Sequence, residues 1–206
     1  MSRLKYLIAL GALLLSSQAL ALFELDLDFS YNKQVYGTTR QNDLVSRTYA
    51  TSLAVYLFQN TAIEFSYAHT DDITTEANVI KVEGTNSSIV GMQNRVRTRA
   101  AGIGIRQALA GRKPRFRPMI SLGYARLLID DRTDFSFRDD GTNQVLNIEG
   151  ELSKRRQDSA FGTFSVQIRM TKTFSLKASV KTIIPAFDFD RASDNMKYAA
   201  GIVWFF

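Results

Sequence analysis

The chain has 206 residues, no cysteine and only three prolines, with 26 basic residues against 20 acidic ones for a net charge of +6. A mean hydropathy of −0.11 excludes a bundle of membrane helices but is ordinary for strands whose apolar content is hidden by alternation. The length allows one domain, stability without disulfides points to a closed hydrogen-bonded sheet, and the small positive excess argues against nucleic acid as a partner.

In chain order, residues 1–21 stand apart. Arg3 and Lys5 make a basic start, Tyr6 to Leu15 an apolar run, and Ser17-Gln-Ala-Leu-Ala21 a small-residue cleavage pattern. These are the three parts of a secretory signal peptide, and the run is shorter than the roughly 20 residues of a spanning helix. The predicted division is therefore a signal peptide over residues 1–21 and one domain over 22–206. Export leaves 24 basic and 20 acidic residues, a net charge of +4. With no cysteine there is no lipid attachment at the new terminus.

Eight segments then alternate with period two. The first, residues 23–35, sets Phe23, Leu25, Leu27, Phe29 and Tyr31 against Glu24, Asp26, Asp28, Ser30 and Asn32. The second, 47–58, sets Tyr49, Leu53, Val55 and Leu57 against Thr48, Ala50, Ser52 and Ala54. A tight turn at Gln59-Asn60 leads to the third, 61–69, where Ile63, Phe65 and Tyr67 oppose Glu64, Ser66 and Ala68. Residues 70–94 read as a long polar connection. The fourth, 96–109, places Ile103 and Ile105 opposite Gly102, Gly104 and Arg106, and a short basic turn follows over residues 110–114.

The fifth segment, 115–129, alternates Phe116, Pro118, Ile120, Leu122 and Tyr124 with Arg117, Ser121 and Gly123; Pro118 is expected near the edge of the sheet or at a bulge. Residues 130–158 keep some alternation, with Phe135 and Phe137 ahead of the hairpin signal Asp140-Gly141, so the fifth and sixth segments are expected to continue as a surface ribbon. The sixth, 159–171, and seventh, 174–184, are joined tightly at Lys172-Thr173, and Arg169, Lys177 and Lys181 fall on their polar faces. The eighth places Met196, Tyr198, Ala200, Ile202, Trp204 and Phe206 on one face and Lys197, Ala199 and Gly201 on the other.

Connections run long, short, long, short, long, short, long, and aromatics gather toward segment ends. Both are features of a transmembrane barrel with interfacial girdles. The expected fold class is all-β, an eight-stranded antiparallel transmembrane up-and-down β-barrel. The final strand, with Tyr198, Gly201, Trp204 and Phe206, resembles the closing-strand signal of bacterial outer-membrane proteins; the polar residue that often precedes the glycine is replaced by Ala199. With the signal peptide, the loop alternation and the terminal Phe, the whole mature chain resembles the small OmpA-type and OmpX-type outer-membrane barrels, without a periplasmic domain. That resemblance implies a monomer in the outer membrane of a Gram-negative bacterium. It also implies contact with outer-membrane lipid and lipopolysaccharide, and delivery by the barrel-assembly machinery.

The inward faces collect Glu24, Asp26, Asp28 and Glu64 with Arg106, Arg117, Arg169, Lys177, Lys181 and Lys197, and Lys197 is expected to approach the acidic row when the last strand meets the first. An eight-stranded interior is just wide enough for side chains to fill, so a lumen plugged by ion pairs is expected, with a porin-like channel as the alternative. The lone His69, followed by Thr-Asp-Asp, lacks the His-x-Ser pattern of lipid A deacylases, and Ser87 and Ser88 fall in the long connection. The expectation is no enzyme, no metal site and no cofactor, a lipid A-modifying enzyme being the remote alternative. A structural or adhesive role then falls to the loops and to Phe135 and Phe137, which could engage an extracellular partner by strand addition. Arg95, Arg97, Arg99, Arg126 and Arg132 are placed near the outer headgroup boundary, in reach of lipopolysaccharide phosphates.

Overall fold

The computed structural model describes residues 23–37, 40–111, 115–187 and 195–206. The signal segment, most of the basic turn at 110–114 and most of the last loop lie outside the described residues.

The strands are β1 (Phe23–Tyr36), β2 (Asn42–Tyr56), β3 (Thr61–Glu76), β4 (Ile80–Lys81), β5 (Ser87–Ala108), β6 (Phe116–Asp139), β7 (Val145–Ile148), β8 (Ser153–Arg169), β9 (Phe174–Pro185) and β10 (Met196–Phe205). Eight long strands pair antiparallel in the circular order β1-β2-β3-β5-β6-β8-β9-β10, and β10 returns to β1. The ring is a closed up-and-down barrel, so its ladder has no unpaired edge. The short β4 and β7 flank β5 and β6 beyond the ring.

Alternation gives the barrel two different surfaces. Outside, Leu27, Phe65, Ile103, Ile105, Leu122 and Ile202 are all exposed, an apolar belt that water would penalise at roughly 25 cal/mol per Å². Aromatics bound it on both sides. Phe29, Tyr31, Tyr49, Tyr67, Tyr124 and Tyr198 stand toward the long-loop end, and Phe58, Phe116, Phe174, Trp204 and Phe206 toward the tight-turn end. Neighbouring rings touch, with centroids 5.2 Å apart for Phe29 and Tyr49 and 6.4 Å for Phe174 and Trp204. Pro118 lies in the first turn-end rungs of β6, opposite Val166.

Inside, the wall is shaped around one large residue. The Phe161 ring lies where a Cβ on Gly104 or Gly123 would fall, at 2.8 and 2.6 Å, so the inward glycines make room for an aromatic that the barrel would otherwise be too narrow to hold. Met119, Val203 and Phe205 fill the turn end.

Several strand ends differ from the sequence reading. β2 starts at Asn42, β3 continues to Glu76 and β5 begins at Ser87, so most of the expected polar connection over 70–94 is ladder. Residues 70–76 are polar on both faces apart from Ile73, and in β5 the register shift between Ile89 and Gly91 puts Ile89 and Met92 out of simple alternation, so the hydrophobic period fades while the backbone pairing continues. The ribbon also differs. It is built on β5 and β6, paired as far as Ser87 with Asp139, whereas β6 and β8 separate after Asp131 and Ser153. In segment terms the fourth and fifth continue together, not the fifth and sixth; the Asp140-Gly141 hairpin returns through β7 onto β6 itself.

Candidate functional site

Two regions of the described residues carry chemistry: the charged lumen and the ribbon at the loop end. The lumen centres on Arg106 of β5, which is 3% exposed. Its guanidinium donates from Nη1 to Glu24 at 2.9 Å, from Nη2 to Asp26 at 2.8 Å and to Ser52 at 2.9 Å, and from Nε to Glu64 at 2.9 Å. Its rigid fork of donors suits such a site, since three carboxylates from β1 and β3 can be met in three directions at once. Arg117 approaches Glu24 at 3.3 Å and donates to the Tyr56 hydroxyl at 3.0 Å, while Tyr56 donates to Glu24 at 2.5 Å and Gln167 also donates to Glu24. Both Glu24 and Asp26 are 0% exposed.

Lys177 completes this network from β9. Its Nζ stands 2.6 Å from Asp26 and 2.7 Å from Asp28. The route crosses the closing seam: Asp28 pairs with Gly201, and Gly201 with Lys177, along one rung. A Cβ on Gly201 would lie 2.2 Å from Asp28 Oδ1 and 2.4 Å from the Leu27 carbonyl oxygen. Gly201 therefore has a structural reason to be glycine, beyond any part in an export signal: only a residue without a side chain lets the two charges meet over the seam.

Not every residue expected in the network joins it. Lys197 lies beyond the paired part of the seam, which ends at Phe29 and Ala200, and so meets Asp72 at 3.7 Å and Ser46 at 3.5 Å instead of the acidic row. The position expected of Lys197 is taken by Lys177. Arg169 is at the turn-end mouth with its guanidinium 5.7 Å from the Phe205 ring, and Lys181 holds its ammonium 4.9 Å from the Phe161 ring. Among the described residues neither has a carboxylate within ion-pair distance. Tyr56, Gln167, Ser52 and Asp72 were missed. Tyr56 and Gln167 sit on inward parity, and that was the signal available for them.

Above the network the lumen opens into a cavity of about 250 Å³. Arg106, Glu64 and Lys177 form its floor. Its walls include Lys181, Lys197 and Arg155 together with Ala68, Ala100, Leu127, Ile129 and Ile183.

Beyond the barrel mouth, β5 and β6 reach 22 and 24 residues against 10 in β10. The excess adds about 40 Å of ladder on one side of the mouth. Its two faces differ. Ile80, Ile89, Phe137 and Leu146 share one rung, and Met92, Phe135 and Ile148 another, on the face that continues the lumen wall. The Phe135 and Phe137 ring centroids are 6.2 Å apart, and both residues are half-buried there. The tip is tied down by Ser88, which donates to Asp140 at 2.7 Å, and by Arg138. The Ser88 hydrogen bond, then the Arg138 guanidinium, hold the Asp140 carboxyl below the usual range.

On the outer wall just above the aromatics, Arg95, Arg97 and Arg99 project from β5, with Arg126 and Arg132 from β6. Arg97 pairs with Asp71 at 3.0 Å, Arg99 with Asp130 at 2.9 Å, Arg126 with Asp158 at 3.1 Å and Arg132 with Asp134 at 3.1 Å. Arg95 lies directly opposite Arg132. His69 belongs to the same wall, 3.9 Å from Asp71 and opposite Arg99, whereas Ser87 and Ser88 are at the far end of β5. The structure does not bring His69 and these serines together.

No protein-family model matches the chain, and a search of curated proteins finds no relative. Solved structures do match in shape. The N-terminal β-barrel domain of Pseudomonas aeruginosa OprF superposes with a TM-score of 0.52 at 13% identity, covering 89% of this chain and 95% of that one. Ail, the attachment invasion locus protein of Yersinia pestis, gives 0.45 at 10% identity over 89% and 97%. Neisserial surface protein A gives 0.42 at 11% identity over 89% and 97%. At these identities the likeness is one of fold, and the OprF domain is the match that carries it.

Proposed function

We propose that the chain is a bacterial outer-membrane barrel whose lumen is plugged by ion pairs and whose role is structural or adhesive. The observation that carries this reading is the inversion of the two surfaces: large apolar residues are exposed between two aromatic girdles, while Glu24, Asp26, Arg106, Arg117 and Lys177 are buried within. Such a wall is stable where hydrocarbon, not water, meets its outside. In that setting the tight turns face the periplasm and the ribbon faces the outside. The arginine rows lie at headgroup level, where lipopolysaccharide phosphates are their partners. Tyr198, Gly201, Trp204 and Phe206 form the end that the barrel-assembly machinery engages.

The adhesive part of the proposal rests on the ribbon, whose apolar face and β7 edge offer an extracellular protein both side-chain contact and backbone pairing. Catalysis is not part of the reading, since His69 is an outer-wall residue beside Asp71 and Arg99.

Purified protein in planar bilayers tests the plug. The expected result is no reproducible conductance step, because ion passage requires separating pairs whose disruption costs about 3 to 5 kcal/mol each. Steady single-channel steps from the unmodified protein would refute the plug and favour a small channel.

A further inference from the structure

We propose that the upper lumen is a binding site for a small organic anion, with its acidic group on Lys181 and a short apolar body against Leu127, Ile129 and Ile183. The cavity is far larger than a packing defect, with room for several waters. Its lining is of two kinds. One wall is an apolar cluster built on Ala68, Ala100, Leu127 and Ile129 with Ile183 packed against it. Next to Ile183 on the inner face of β9 stands Lys181, directly across the ladder from Lys197 on β10. Like charges in that relation repel, and nothing in the ion-pair network requires the arrangement.

Lys181 is the exception among the lumen cations of the middle barrel. Arg106, Arg117 and Lys177 each contact a carboxylate within 3.3 Å, whereas Lys181 rests over the Phe161 ring at 4.9 Å. Its neighbours on the wall, Thr163 and Ser179, are hydroxyl donors that also line the cavity. Among the described residues the cavity wall and the network beneath it hold six cations against five carboxylates, so one bound monoanion balances them. Arg106 and Glu64 form its floor, and among the described residues the lining continues to Asp72, Val96 and Arg155 toward the loop end. The volume suits a carboxylate with a few carbons or a single ring, below the size of drug-like ligands.

The test uses the whole mature chain in a non-ionic detergent, titrated with benzoate while the amide signals of Thr163, Ser179 and Lys181 are followed by NMR, with inorganic phosphate and neutral benzyl alcohol as parallel probes. The expected result is saturable, millimolar binding of benzoate at these positions, weaker binding of both control probes, and a loss of about tenfold in Lys181→Met, the scale of one charge-assisted hydrogen bond. Leu127→Ser is expected to weaken benzoate and leave phosphate unchanged, and it reports on the site even where Lys181→Met fails to fold. Absence of saturable shifts, phosphate binding as tight as benzoate, or full affinity in both variants would each overturn the proposal.

Discussion

Replacing Arg106 by Met is the most demanding test of the lumen. The substitution roughly keeps the length of the side chain but removes its contacts to Glu24, Asp26, Glu64 and Ser52, all at 2.8 to 2.9 Å. It leaves Glu24 and Asp26 fully buried and Glu64 at the cavity floor, with Arg117 and Lys177 as the remaining cations in contact. Breaking one buried pair costs about 3 to 5 kcal/mol, and three acceptors lose the same partner here, so the upper end of that range is expected at neutral pH. Urea titration of the barrel folded into neutral-lipid vesicles would measure it, read by the fluorescence of Trp204, the only tryptophan. Adding Glu64→Gln to Arg106→Met removes one of the stranded charges. The double variant should therefore be less destabilised than the sum of the two singles by about 1 to 3 kcal/mol. Arg169→Met, which removes only a contact with the Phe205 ring, should cost less than about 1 kcal/mol. A loss below about 1 kcal/mol in Arg106→Met, or additive behaviour with Glu64→Gln, would show that Arg106 is not the shared counter-ion described here.

Three further outcomes follow from other parts of the molecule. Leu122 on the belt and Leu146 on β7 are both 63% exposed, yet Leu122→Arg should cost about 2 to 4 kcal/mol in a bilayer while Leu146→Arg stays within about 0.5; equal effects in vesicle-based unfolding would contradict a hydrocarbon environment for the belt. Gly123→Ala places a methyl carbon 2.3 Å from the Ile103 carbonyl oxygen and 2.6 Å from the Phe161 ring, and should cost about 1 to 3 kcal/mol, with Phe161→Ala relieving only the second contact; a neutral Gly123→Ala in the same titration would mean the wall is not packed as described. Because the folded Asp140 carboxyl titrates below its unfolded counterpart, its contribution to the ribbon tip is complete above the unfolded value near 4 and is lost as pH falls through the folded one. NMR signals of Ser88 and Asp140 should broaden or shift in that acid window ahead of those of the barrel wall, and Asp140→Asn should abolish the difference.

The sequence disclosed the barrel through the segments that touch two different environments. Where one face is apolar and the other charged, as from Phe23 to Tyr31 or from Phe116 to Tyr124, alternation gave strand, face and approximate ends. It failed where that contrast vanishes. From Thr70 to Glu76 nearly all residues are polar on both sides, and from Gln93 down to Ser87 the register shift between Ile89 and Gly91 breaks the alternation of Ile89 and Met92, so backbone pairing is what shows that they belong to strands. Inward parity likewise identified which charges enter the lumen, but not which of them meet. Partner choice depends on the stagger between strands, a property of ring closure, and the exchange of Lys197 for Lys177 at the acidic row is the clearest case.

The two ends of the described barrel are already joined in space: the Phe206 amide donates to the Phe23 carbonyl at 3.1 Å. A short linker between them, with the chain opened at Gln59-Asn60, would give a circular permutant carrying every rung of the native ring. Such a molecule would keep the ring while moving Trp204 and Phe206 into the interior of the chain, so it separates closure of the ring from the assembly role proposed for that strand.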